Sequence, residues 1–81
     1  MRILVIEDEA SLRKQLITAL TARGFAGDGA ADGEEGLYMG TELPCDAAVI
    51  DLGLPKLTGI EVITRLRAAG RRLPILILTA H

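Results

Sequence analysis

Eighty-one residues make room for one small domain. Nine basic against eleven acidic side chains leave a formal charge of −2, and no segment gathers enough Lys and Arg to track a phosphate backbone, which argues against a nucleic-acid surface. Apolar residues make up 49% and aromatic ones 2%, so the core must be aliphatic, and a single cysteine, Cys45, excludes an internal disulfide or a zinc module.

The first apolar run, Ile3-Leu4-Val5-Ile6, is continuous and β-branched, as expected of a strand covered on both faces. A helix is expected from Ala10 to Arg23, with Leu12, Leu16, Ile17 and Leu20 on one stripe. Arg13, Lys14 and Arg23 fall off that stripe, and Gly24 stops the helix. The second run, Phe25 to Ala31, is interrupted by Gly27 and Gly29 and reads as a short edge strand. Asp32 can cap a second helix through Glu34, Glu35, Leu37, Tyr38 and Met39, which Gly36 and Gly40 weaken by about 1 kcal/mol each. Past Pro44 comes a third apolar run, Ala47-Ala48-Val49-Ile50, and a loop with Gly53, Pro55 and Gly59. Thr58 and Glu61 have the spacing of a capping box. Ile60, Ile63 and Leu66 should form the buried stripe of that third helix, and Gly70 should end it. Pro74 introduces the fourth run, Ile75 to Leu78.

The order is βαβαβαβ, an α/β domain over residues 1–81 with a doubly wound parallel sheet. No apolar run is long enough to span a bilayer and no signal-type stretch opens the chain, so a cytoplasmic location without membrane contact is expected. In such sheets ligands bind beyond the carboxyl ends of the strands. Those positions hold Glu7 and Asp8 after the first run, Asp51 after the third and Thr79 after the fourth. A flavodoxin-like strand order brings the three carboxylates together. Their mutual repulsion calls for a cation, and oxygen ligands suit Mg²⁺.

These residues resemble the receiver domains of two-component response regulators. The resemblance rests on Val5-Ile6-Glu7-Asp8-Glu9, on Val49-Ile50-Asp51-Leu52-Gly53-Leu54-Pro55, on Gly59, and on Pro74-Ile75-Leu76-Ile77-Leu78-Thr79-Ala80. The wording around Asp51 and Thr79 is most similar to the OmpR/PhoB type, whose members carry a winged-helix DNA-binding domain. The resemblance implies that Asp51 is the phosphoacceptor, receiving a phosphoryl group from a sensor histidine kinase. It makes Glu7 and Asp8 the acidic pair for Mg²⁺, with Asp8 the preferred direct ligand, and it gives the metal the backbone carbonyl of Gly53. Thr79 becomes the switch hydroxyl and Ala80 the small residue that leaves phosphate access open, while Pro55 and Gly59 shape the loop. The domain would be a signalling module rather than an enzyme, beyond self-catalysed phosphotransfer and dephosphorylation at Asp51. A receiver has a fifth strand, ending in a lysine, and two further helices. The chain reads as a receiver cut short after the fourth strand, with self-association expected through that strand's edge and DNA contacted only by an absent output domain.

Blander readings stand beside these. Asp8 could cap the first helix and Asp51 could be a turn residue. Arg65, Arg67, Arg71 and Arg72 could simply favour a helix C-terminus and stay solvated, with a kinase or DNA contact as the alternative. Gly27-Asp28-Gly29 lacks the remaining glycine and the position of a nucleotide loop. Cys45 has no basic neighbour in sequence and reads as an inert thiol. A haloacid-dehalogenase-like phosphotransferase would need Asp where Gly53 stands. A scaffold fragment acting by protein contacts alone is the other rival.

Overall fold

The computed structural model describes residues 1–78. β1 (Arg2–Ile6), α1 (Ala10–Ala22), β2 (Ala26–Ala30), α2 (Gly33–Glu42), β3 (Ala47–Asp51), α3 (Gly59–Ala68) and β4 (Ile75–Leu78) alternate along the chain. The four strands are parallel, in the order β2-β1-β3-β4. This is the expected flavodoxin-like arrangement, with β2 at one edge, and its topological switch point lies between β1 and β3.

Alternate residues of a strand face opposite sides of the sheet. Leu4 and Ile6 of β1 join Ile50, Val62 and Leu66 in the core beneath α2 and α3. Ile3 and Val5 point the other way, level with Gly27 and Gly29 of β2. Those glycines leave room for α1: a Cβ on either would stand 3.0 Å from Ile17. The Gly residues of α2 have a similar cause. A Cβ on Gly36 would lie 2.5 Å from Ile6 Cδ1, and one on Gly40 would lie 2.9 Å from Leu66 Cδ2. Close approach of α2 to β1 outweighs the lost helix propensity, because burying a side chain such as Ile6 contributes about 1.5–3 kcal/mol.

The helix ends follow the sequence. Asp32 accepts a hydrogen bond from Glu35 N at 2.8 Å, and Thr58 and Glu61 form the reciprocal capping box. Gly24 and Gly70, just past α1 and α3, have φ of +91° and +84°, the left-handed conformation that terminates a helix. Glu9, not Asp8, occupies the N-cap of α1, and no side chain caps it.

Two packing expectations need correction. In α3 the buried residues are Gly59, Val62 and Leu66, with Ile63 partly buried, while Ile60 is 57% exposed. At about 100° per residue, Ile60 stands roughly 120° round from Leu66, and Val62 only about 40°. Arg13, expected off the stripe of α1, is partly buried and packs its stem over Gly29.

No residue of α1 is fully buried, and its stripe of Leu12, Leu16, Ile17 and Leu20 is only partly covered. Beside it an open apolar cleft of about 380 Å³ runs over Ile3, Leu20, Val49 and Leu76. β4 is the second edge of the sheet, with Leu76 65% and Ile77 41% exposed. Among the described residues, no helix is long and apolar enough to cross a membrane.

Candidate functional site

Parallel pairing of β1 with β3 sets Ile6 level with Ile50, so the next residues, Glu7 and Asp51, meet at the carboxyl edge of the sheet. Asp8 follows at the start of the turn into α1. One oxygen from each of Glu7, Asp8 and Asp51 lies within 4.8 Å of the others. Glu7 and Asp51 are buried and Asp8 is exposed, so the cluster opens to solvent through Asp8.

Backbone groups hold the two buried carboxylates. Glu9 N donates to Glu7 Oε2 at 2.9 Å, and Gly53 N donates to Asp51 Oδ1 at 3.3 Å. Glu7 Oε1 is buried with no hydrogen-bond partner among the described residues. Arg13 Nη1 reaches the Glu7 backbone carbonyl at 2.8 Å and not the carboxylate. Burial pushes the Glu7 carboxyl above its usual range, helped by the neighbouring carboxylates of Asp8 and Asp51, against the Glu9 N–H. At an effective dielectric of about 20, two carboxylates this close repel by roughly 3 kcal/mol. A buried oxygen without a donor and a carboxylate destabilised by burial and by its neighbours suit a cation site. An all-oxygen donor set fits Mg²⁺ in particular.

The β3–α3 loop closes the site from the side. A Cβ on Gly59 would lie 2.5 Å from Asp51 O, so only glycine lets α3 begin directly against the end of β3. Leu57 N and Gly33 N both donate to Pro55 O, at 2.9 and 3.3 Å. Between Pro55 and Leu57, Lys56 has φ of +70°, giving the uncommon, strained form of γ-turn. Its Nζ lies 3.6 Å from Asp32 Oδ2 and 3.7 Å from Glu34 Oε1, tying the loop to the start of α2.

Glu7, Asp8 and Asp51 are thus brought together at the sheet edge, with Gly53 and Pro55 in the adjoining loop and Gly59 as the first residue of α3. Thr79 and Ala80 lie outside the described residues. Sequence reasoning missed Arg13, whose spacing from Glu7 gave no hint of a backbone contact. It also missed Lys56, for which a Pro-led turn was the available signal. Cys45, without a basic neighbour in sequence, has Arg71 Nη2 at 3.7 Å from its sulfur.

Residues 3–81 match the model of the response regulator receiver domain family. The whole chain is 51% identical to the two-component response regulator PhoP of Pseudomonas aeruginosa, of which it covers 36%. It is 48% identical to the transcriptional regulatory protein QseB of Haemophilus influenzae, covering 37% of it. Among solved structures, the Francisella response regulator 1452 receiver domain superposes with a TM-score of 0.94 at 30% identity, over 98% of this chain and 65% of that one. The response regulator TrrA of Thermotoga maritima, solved in complex with Mg²⁺-BeF, gives 0.92 at 34% identity, over 99% of this chain and 70% of that one. The chain spans about a third of the length of its curated relatives and about two thirds of these solved chains. It belongs to the response regulator receiver domain family.

Proposed function

We propose that this receiver domain is a phosphoacceptor in which Asp51 takes a phosphoryl group from a phosphohistidine on a sensor histidine kinase. One observation carries the reading: two buried carboxylates and an exposed one converge at the carboxyl edge of the sheet, and among the described residues Glu7 Oε1 has no partner there. Glu7, Asp8, Asp51 and the backbone carbonyl of Gly53 would hold Mg²⁺. Such an ion, when bound, neutralises the oxygens of the transferring group so that an anionic carboxylate can approach it.

An Asp51 carboxylate oxygen forms the new O–P bond as the P–N bond to the donor ring breaks. The donor ring carries a proton on its other nitrogen, so when the departing nitrogen keeps the bonding pair the ring leaves as neutral imidazole. The Gly53 N–H holds Asp51 in position, and the Glu9 N–H fixes Glu7. Water attacking the acyl phosphate at the same site accounts for self-dephosphorylation. A phosphoryl group brings about −1.5 to −2 of charge, which Thr79 reads as the switch hydroxyl while Ala80 keeps access open. In the whole protein, working in the cytoplasm, this switch drives a DNA-binding output of the OmpR/PhoB type. The 81-residue chain itself pairs with a second copy through β4, an edge strand among the described residues that exposes Leu76 and Ile77.

The test is intact mass after incubation with Mg²⁺ and a small acyl-phosphate donor, beside Asp51→Asn. One added phosphoryl group on the parent and none on the variant is the expected result. A gain that survives in Asp51→Asn would overturn the assignment of the acceptor. No gain in a folded sample would make the chain a scaffold that takes no phosphoryl group. Light scattering over a range of concentrations tests the pairing: Leu76→Lys should restore a monomer, and a parent that is monomeric throughout refutes it.

A further inference from the structure

The opposite, amino edge of the sheet holds a second cluster of like charge. α3 ends at Ala68 and the chain turns through Gly70 toward β4. There Arg67, Arg71 and Arg72 line one open cleft of about 350 Å³. Two of the three side chains are braced. Arg67 Nη1 donates to the carbonyls of Leu73 (2.7 Å) and Arg71 (3.1 Å). Arg71 Nε donates to Gly40 O at 2.9 Å and its Nη2 to Cys45 O at 3.3 Å, fastening the turn to the end of α2.

These acceptors are neutral carbonyls. Among the described residues, the cations in ion pairs are Arg2 and Lys56, and none of the three cleft arginines has a carboxylate in reach. The C-termini of α2 and α3 each bring roughly −0.5 of dipole charge to this end. Against three guanidinium groups that leaves about two positive charges without compensation. Each guanidinium has five N–H donors, so all three retain donors beyond the bonds just described.

We propose that this cleft binds a phosphate-type oxyanion, a tetrahedral dianion gripped by the guanidinium groups of Arg67, Arg71 and Arg72. Guanidinium forks match such oxygens in pairs. The carbonyl bonds hold Arg67 and Arg71 in place beforehand, so little side-chain entropy is lost on binding. The site lies about 16 Å along the strands from the carboxylates and is independent of the chemistry there.

Side-chain Nε–H resonances of the arginines, followed by NMR in divalent-free buffer, provide the test. Inorganic phosphate is one arm, AMP a second, and sodium chloride at matched ionic strength the control. Saturable shifts of Arg67, Arg71 and Arg72 with phosphate, absent with chloride, are expected. If AMP produces them too, the site accepts phosphate monoesters as well as the free ion. Arg72 is exposed and makes none of the bracing bonds, so its variants should fold. Arg72→Ala should weaken binding roughly tenfold and Arg72→Glu should abolish it. Shifts that track ionic strength alone, or an affinity unchanged in Arg72→Glu, would overturn the proposal.

Discussion

The two ends of the sheet carry opposite charge and solve the problem of crowding in opposite ways. At the carboxyl edge, Glu7, Asp8 and Asp51 are drawn together by strand register, and Glu7 keeps an unpartnered oxygen. At the amino edge, Arg67 and Arg71 are bonded to backbone carbonyls. The arginines therefore do structural work at their end, whereas the acids cost stability at theirs. A group that weakens the fold where it stands is best explained by what it binds.

Substitutions can break that contrast. The largest loss is expected for Gly59→Ala, whose Cβ would press on the backbone of Asp51 and Leu52. We expect about 3 kcal/mol by denaturant unfolding, with phosphorylation impaired alongside. Arg71→Ala, at the other end, should cost about 2 kcal/mol by leaving the Gly40 and Cys45 carbonyls without this donor. Arg72→Ala should stay within about 0.5 kcal/mol of the parent. If Arg71→Ala proves equally silent, the amino edge is not braced as described.

Glu7→Gln should move the other way and stabilise the metal-free domain by about 1 kcal/mol. Mg²⁺ should raise the melting temperature of the parent more than that of this variant. The pH dependence sharpens the point. The Glu7 carboxyl is raised in the fold, so its favourable share of stability is present below the unfolded value and lost as pH rises through the folded one. Asp32 and Glu61, held below the usual carboxylate range by the backbone N–H groups of Glu35 and Thr58 respectively, run in the opposite sense. Their share is present above the unfolded value and lost as pH falls through the folded one. In metal-free buffer the advantage of Glu7→Gln over the parent should thus grow from acid toward neutral pH. An advantage independent of pH would show that Glu7 is not the strained group.

The smallest effect is expected at Lys56. Lys56→Gly relieves a left-handed φ but loses two exposed ion pairs, each contributing between about 0 and 1 kcal/mol. A net gain below about 1 kcal/mol by thermal unfolding is expected. A loss above that would mean the tie to α2 matters more than the turn's strain.

Much of this molecule could be read before any coordinates. Continuous aliphatic runs marked β1 and β3, Asp32 and Thr58 marked two helix starts, and Gly24 and Gly70 marked two ends, because each signal is local. The acidic site was legible for a related reason: residues that end parallel strands must share one edge. What sequence could not reach was non-local. Val62 rather than Ile60 faces the core because the docking of α3 fixes its rotation. Arg71 meets Gly40 and Cys45 across separations of 31 and 26 residues. The orphaned Glu7 oxygen exists only because β1 and β3 lie side by side under the helices. Local propensity, capping and periodicity determined the elements and their order. Only tertiary packing decided which side chains are deprived of water, and that deprivation separates a charged residue from a binding site.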